Sequence, residues 1–436
     1  MRVAVWHNLP SGGGKRALHD HVRGLVERGH HVEAWSPPTA VLSYMPLGRY
    51  APEHVVPFEW KPRSNRGPVV HGFNNYINAL NRIEAMKRHA QRCVAEIERG
   101  GFDLILANSC GAFATPFIAR YAKIPTALYL QEPFRRFYEA QPFWDMTRLE
   151  WVASAGPHFK PAKNPLRWKG QVASLVRDLA DVQALRLQAR EEAINAWAFD
   201  RLLCNSRYSR ETILGVYGID AGVCYLGIDT DAFRPTEAPK ERYVVGLGAF
   251  AAIKGIDLAI RAVATVAPPL RPSLVWIGNS AIPGHLEEIS QLARSLGVTL
   301  LPKELVGQDV LVDILSRAAV MVYTSRLEPF GYAPLEANAC GTPVVGIAEG
   351  GIRETIEPGI NGSLIEARDP IALGRCIMRY VDDLDVSRHE GIQGREHVIK
   401  KWNVNDAVDR LEMNLVDLLQ AKPQVSGSLV PAGLMG

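Results

Sequence analysis

The sequence predicts an α/β protein of two domains, each built on a doubly wound parallel sheet. Short apolar, β-prone runs alternate with helical segments, and the alternation starts afresh near Tyr243. The chain has 436 residues, above the size at which a single hydrophobic core stops growing.

Arg2-Val-Ala-Val-Trp6 opens as a strand, and His7-Asn-Leu-Pro-Ser-Gly-Gly-Gly14 follows as a loop. A helix from about Lys15 to Arg28 carries Ala17, Leu18, Val22, Leu25 and Val26 on one side, and Gly29 ends it. His31–Trp35, Asp103–Ala107, Thr126–Leu130 and Arg201–Cys204 read as further strands. The second set comprises Tyr243–Leu247, Ser273–Ile277, Val298–Leu301, Val320–Tyr323 and Pro343–Ile347. The expected first domain spans 1–222 and the second 223–402, with the connection between Val223 and Pro235. The closing helices, Ser387 to Leu419, are expected to return to the first domain through a helix at about 403–420. Residues 421–436, rich in Gly, Pro and Ser, read as a disordered tail.

Hydrophobic residues make up 47% and charged residues 22%, the balance of an ordinary soluble globular chain. No apolar run approaches the roughly 20 residues that span a bilayer, and the N-terminus reads as a first strand, not a leader. The six cysteines are scattered without a CxxC pair, so free thiols in a reducing cytoplasm are expected. Residues 1–200 hold 26 Lys and Arg against 18 Asp and Glu, a surplus of +8, while the remainder carries −5 and the whole +3. A basic first half suits an anionic partner: an acidic acceptor, a lipid diphosphate or an anionic membrane face. Nucleic acid is disfavoured, because no basic-aromatic binding motif accompanies the charge. Phe143, Trp144, Trp151, Phe159 and Trp168 stand among Lys160, Lys163, Arg167 and Lys169. That cluster suits peripheral attachment to the inner membrane face, a loop over an acceptor pocket, or ordinary helix packing.

The most informative stretch is Leu327-Glu-Pro-Phe-Gly-Tyr-Ala-Pro-Leu-Glu-Ala-Asn-Ala-Cys-Gly-Thr-Pro-Val-Val345, in which Glu328 and Glu336 stand with seven residues between them. It reads as loop, short helix and strand, with Pro334 in the first turn and Gly341 past the end. A helix opened at Phe330-Gly331 aims unpaired N–H groups and a positive dipole end at a phosphate. One carboxylate then reaches a ribose and the other a second hydroxylated group.

This stretch resembles the Glu-x7-Glu signature of retaining, nucleotide-sugar-dependent glycosyltransferases of family 4, which have the GT-B fold. The resemblance runs from Val3 to about Leu419, weakly over 140–190. It implies two Rossmann-like domains facing across a cleft, the first for the acceptor and the second for the donor. Glu336 would hold the ribose hydroxyls, with Phe330, Gly331, Tyr332, Ala333 and Leu335 around the donor, and Glu328 would hold the donor sugar near the reaction centre. Gly246–Asp257 resembles the strand and loop that bring two cations to the diphosphate. Lys254 matches one of them, while Ala249 stands where the family has arginine, a loss that Arg326 would offset. Leu305-Val306-Gly307 resembles the segment that cradles the base, and Glu349–Glu354 with Asn361-Gly362 resembles the loops behind the sugar.

Ser11–Arg16 fails as a P-loop, since Leu9 replaces its first glycine and Arg16 its Ser or Thr. Gly13 and Gly14 are read instead as a donor-binding loop, stripped of side chains for backbone contact with a phosphate or sugar. Gln131 takes the place of a family histidine and cannot transfer a proton. Glu132, Arg135 and Arg136 are acceptor candidates beside it.

The reading is a retaining hexosyltransferase that uses GDP-mannose or a UDP-sugar, with an acceptor hydroxyl on a glycan, lipid-linked or small-molecule substrate. No cofactor is expected. No metal is expected either, because Asp229-Thr-Asp231 lies in the connection. The alternatives are a catalytically idle nucleotide-sugar-binding scaffold and a phosphorylase on the same fold. Asn361-Gly-Ser363 fits a glycosylation sequon but reads as a turn.

Overall fold

The computed structural model describes residues 1–63, 68–138 and 165–421, with side chains for all of these except 68–72, 136 and 165–178. The aromatic-basic cluster, the Arg136 side chain and all of the expected tail but Ala421 lie outside the described residues. The chain divides into two compact units. One holds 1–204, 210–223 and 411–436, and the other holds 205–209 and 224–410.

The first unit contains β1 (Arg2–Asn8), α1 (Gly13–Glu27), β2 (His31–Ser36), β3 (Glu53–Val55), α2 (Pro68–Arg99), β4 (Leu104–Cys110), β5 (Thr126–Tyr129), α3 (Pro165–Trp197), β6 (Arg201–Cys204), most of α4 (Arg207–Tyr217), and β7 (Gly222–Val223). Its seven strands are parallel in the order β3-β2-β1-β4-β5-β6-β7. From Val3 to Asn8, β1 is buried without a break, as a parallel strand covered on both faces must be. Ala4 and Trp6 join a core with Ile83, Met86, Ala90 and Ile97 of α2. Val3, Val5 and His7 alternate to the other face. On α1, Ala17, Leu18, Val22 and Leu25 are fully buried, so one apolar stripe fixes that helix.

The second unit contains β8 (Glu241–Leu247), α5 (Ile256–Ala264), β9 (Ser273–Gly278), α6 (His285–Ser295), β10 (Leu300–Glu304), α7 (Gln308–Arg317), β11 (Ala318–Tyr323), α8 (Tyr332–Ala339), β12 (Val344–Ile347), α9 (Ile352–Thr355), β13 (Gly362–Ile365), α10 (Pro370–Asp382) and α11 (Leu384–Lys401). Its six parallel strands run β10-β9-β8-β11-β12-β13. Both sheets thus place the first strand of the set between the second and the fourth, so the winding reverses there. In open α/β sheets ligands bind at the carboxyl ends of the strands flanking such a reversal, here β1/β4 and β8/β11.

The structure departs from the sequence reading in several elements. The strands β3, β7 and β13 went unforeseen, being two to four residues long with little apolar content to mark them. The third strand of the second set begins at Leu300, not Val298. The closing helices are α11 and α12 (Val404–Gln420). They are interrupted because Ile228 N–H donates to the Trp402 carbonyl and Val404 N–H to the Ile228 carbonyl, a strand-like bridge that a helix cannot share. Gly227 permits it, since a Cβ there would lie 2.3 Å from the Asn403 carbonyl oxygen. From Leu411 onward α12 belongs to the first unit, where Glu412 bonds His30 Nε2 at 2.8 Å and the Asn414 carbonyl accepts from Arg201.

Candidate active site

In the second unit, β8 ends at Leu247 and the chain makes a short turn over Ala252–Lys254 before α5. Gly255 closes that turn at φ 66°, and a Cβ on it would stand 2.4 Å from the Thr324 carbonyl oxygen. Only glycine meets both demands. Thr324 Oγ1 donates to the Lys254 carbonyl at 3.0 Å and Arg326 N–H to the Ile253 carbonyl at 2.9 Å, so the loops after β8 and β11 are laced together. The Lys254 stem lies along Gly248, whose missing side chain leaves room for it. Its ammonium donates to Glu328 Oε2 at 2.7 Å, and Ser325 Oγ donates to the same oxygen at 2.8 Å. Both charged side chains keep 24% of their surface exposed, enough for a ligand to reach.

After Glu328 the chain turns through Phe330, which is buried edge-on against Tyr332 and Trp402. Gly331, at φ 98°, caps α8 without a side chain. The first-turn N–H groups of Tyr332 and Ala333 therefore point outward from the helix end, while Pro334 has none. Glu336 lies one turn on and is 3% exposed, and Leu335 is fully buried. The loop at 349–351 presses on the backbone of Glu328. Gly351 N–H donates to the Glu328 carbonyl at 2.8 Å. A Cβ on Gly350 or Gly351 would fall 2.5 Å from that carbonyl oxygen and 2.2 Å from that of Pro329. Leu305 adopts φ 52° and is 77% exposed, with Val306 half-buried beside it.

Two residues near Lys254 escaped sequence reasoning. Ser325 looked like any serine, and only its 2.8 Å bond to Glu328 marks it. Arg368 donates to the Thr324 carbonyl at 2.9 Å and to Glu349 at 3.1 Å, which sets a second cation beside the Gly255 turn. Nothing in its local sequence announces that. Two further residues of these loops bond within the protein. Glu354 faces the N-terminus of α4, accepting from Arg207 and Tyr208 N–H and from the Tyr225 hydroxyl. Asn361 is fully buried and bonds Asn338 and the Thr355 carbonyl, so the sequon is closed to glycan attachment.

In the first unit Gly12, at φ 138°, opens α1, and Gly13 and Gly14 form its first turn. A Cβ on Gly14 would stand 2.9 Å from Gln131 Oε1, so the glycine loop and Gln131 meet as close neighbours. Glu132 Oε2 accepts from Arg135 Nε and from the Tyr138 hydroxyl, both at 2.8 Å, so the two acceptor candidates bind each other.

The profile described as "Glycosyl transferases group 1" matches residues 228–397, which hold the Lys254–Glu328 pair and α8. Over these residues the chain is similar to the group 1 glycosyltransferases. Curated proteins similar to this chain include the D-inositol 3-phosphate glycosyltransferase 1 of Catenulispora acidiphila, 29% identical, with 45% of this chain aligned to 52% of that protein. Another is the D-inositol 3-phosphate glycosyltransferase of Geodermatophilus obscurus, 34% identical over 41% of this chain and 45% of that one. The chain thus spans about half the length of the curated relatives it matches. The same fold occurs in Anabaena HepE, solved with UDP, at TM-score 0.67 and 17% identity over 96% of this chain and all of that one. It occurs also in sucrose-phosphate synthase from Thermosynechococcus elongatus, at TM-score 0.66 and 18% identity over 97% of this chain and all of that one. Both are glycosyltransferase structures of the GT-B type, the fold of this chain. Among the described residues no helix is long and apolar enough to cross a membrane.

Proposed function

We propose that the protein is a retaining glycosyltransferase that moves a hexose from a nucleoside-diphosphate sugar to an acceptor hydroxyl. The observation that carries this reading is the Lys254–Glu328 pair, held at the β8/β11 reversal one short turn before the N-terminus of α8. Departure of a nucleoside diphosphate builds negative charge on its terminal phosphate. Lys254 and the N–H groups of Tyr332 and Ala333 are fixed donors for that charge. When the diphosphate takes the ammonium, Glu328 is released to accept from donor-sugar hydroxyls, with Ser325 keeping its orientation. Glu336 takes the ribose hydroxyls, Leu305–Gly307 offers backbone to the base, and Phe330 and Leu335 hold the frame.

In the transfer, the bond from the anomeric carbon to the phosphate oxygen breaks. A bond to the acceptor oxygen forms on the same face, and the acceptor proton passes to the departing phosphate oxygen. No side chain need carry that proton, so Gln131 suffices where a histidine would be redundant. The diphosphate charge is met by Lys254 and helix N–H groups, with Arg326 and Arg368 near, and no metal is invoked. The first unit, with Gly13, Gly14 and Gln131, takes the acceptor. The relatives' names make a phosphorylated cyclitol the first acceptor to try, and the structures solved with UDP make a UDP-sugar the first donor. GDP-mannose is the second donor to try.

Calorimetry with UDP-, GDP- and ADP-sugars tests the reading. One of them binds, and Glu336→Ala weakens it by about tenfold to a hundredfold, the worth of a charged group's hydrogen bonds to two hydroxyls. Absence of binding to every nucleotide sugar would sink it.

A further inference from the structure

At the carboxyl end of the first sheet, the chain buries a set of polar atoms that its own described residues leave unmatched. β1 and β4 stay in register to Trp6–Ala107 and resume at Asn8–Cys110, so His7 alone faces the pair Asn108 and Ser109. Such a bulge re-aims side chains at a sheet's end. His7, Lys15 and Asn108 are each fully buried. Both ring nitrogens of His7, the Nζ of Lys15, and both amide atoms of Asn108 lack a hydrogen-bond partner among the described residues. Buried polar groups are otherwise almost always satisfied, so five such atoms in one neighbourhood call for an occupant.

The charge says which kind. Lys15 is the third residue of α1, and helical side chains lean toward the N-terminus, so its ammonium reaches back past the helix start. Two positive features converge there, the ammonium and the uncapped N–H groups of the Gly12–Gly14 turn. His7 cannot answer them: burial and the neighbouring Lys15 hold its ring neutral, with its pKa down at about 3. Glu53, the acidic group that Lys15 senses, makes no bond to it and accepts from Gly48 N–H instead. His21, on the next turn of α1, stacks edge-on with Tyr129, the strand neighbour of Asn108. Water would satisfy His7 and Asn108 but would leave the ammonium without a counter-charge. An oxyanion satisfies all three at once, taking hydrogen bonds from Lys15, from Asn108 Nδ2, from His7 N–H and from the glycine-turn amides.

We propose that Lys15, His7 and Asn108, with the amides of the glycine turn, form a binding site for a phosphate-type oxyanion in the first unit. The site rests on the proposed function only for the source of its anion, which on that reading is a phosphate group borne by the acceptor.

The full chain tests it in the Lys254→Ala background, which removes the cation offered to phosphate by the second unit. Inorganic phosphate raises the melting temperature of that variant in a saturable way. Adding Lys15→Met weakens the apparent phosphate affinity by about tenfold to a hundredfold. Asn108→Ala, the milder change if Lys15→Met fails to fold, weakens it by about threefold to tenfold. Glycerol 3-phosphate identifies the source. If it matches inorganic phosphate, the anion is a substituent of the acceptor; if inorganic phosphate alone acts, it is a free ion; either outcome supports the site. The idea is overturned if phosphate has no effect, or if its effect survives Lys15→Met and Asn108→Ala. UDP titrated into the same Lys15→Met chain with Lys254 intact reads the second unit separately, so failure of one proposal leaves the other measurable.

Discussion

The two sheets share a strand order and a point of reversal, yet they treat charge in opposite ways at that point. At β8/β11 the cation has its counter-ion: Lys254 is bonded to Glu328 at 2.7 Å, and both remain partly exposed. At β1/β4 the Lys15 ammonium is buried with no bonded partner among the described residues. The comparison teaches that one topology can build either a self-neutralised site, which a ligand must open by exchange, or an open-valence site, which a ligand completes. It also explains why the two were unequally visible in advance.

The largest effect expected is at the neutralised site. Lys254→Ala removes the ammonium bonded to Glu328 at 2.7 Å, and turnover with the preferred donor falls by about a hundredfold to a thousandfold, the usual loss for one fixed donor at a charged transition state. Steady-state rates measure it, with circular dichroism confirming the fold. A loss below tenfold would mean that Arg326 or Arg368 carries the diphosphate and that the pairing with Glu328 is incidental.

The second way to sharpen the contrast uses pH, because each unit buries one group that titrates near neutrality. In the first unit, burial raises the Glu192 carboxyl from 4.5 to about 7, against the hydrogen bonds of Gln188 and Tyr217. Between those values the folded chain keeps a proton that the unfolded chain gives up, so stability falls as pH rises through this window. In the second unit, burial lowers Lys240 from 10.5 to about 7. There the unfolded chain holds the proton that the folded chain has lost, and stability rises with pH from about 7 to 10.5. Each slope reaches up to about 1 kcal/mol per pH unit. Urea unfolding across pH should lose the first slope in Glu192→Gln and the second in Lys240→Met. Identical slopes in the wild type and both variants would refute the assignment.

The smallest effect is expected at Ser325. Ser325→Ala takes one hydrogen bond from Glu328 and leaves Lys254 in place, and kcat/KM drops by about fivefold, the worth of one such bond to a charged group. No change would show that Lys254 alone orients the carboxylate.

How much of this could be read in advance follows from the same contrast. The second-unit site was legible because a short stretch of backbone must do several things at once. Gly331 has to open a helix at positive φ, Pro334 has to sit where no N–H is needed, and Glu336 has to fall one turn on, all of which constrain residue types at fixed spacing. Ser325 and Arg368 were not legible, since their roles depend on tertiary approach and any serine or arginine would look the same. In the first unit the glycines were seen, but Lys15 was read only as the start of the first helix, in a stretch that Leu9 and Arg16 disqualify as a P-loop. Its burial arises from how α1 docks, which the periodicity of Ala17, Leu18, Val22 and Leu25 fixes only once the sheet is known. The bridge that separates α11 from α12 was not legible for a similar reason: Gly227 and Asn403 are far apart in sequence and meet only in the folded unit.

The loop at Gly350–Gly351 bears on how such a protein can diverge. Each glycine stands where a single methyl would collide with the backbone of Glu328 or Pro329. Mutational drift therefore cannot decorate that wall, and a change of preferred sugar or base has to be found elsewhere. On the proposed reading, in which Leu305–Gly307 offers backbone to the base, that segment is where a directed-evolution library would gain new donors, since a Cβ at Gly307 meets nothing within 4 Å.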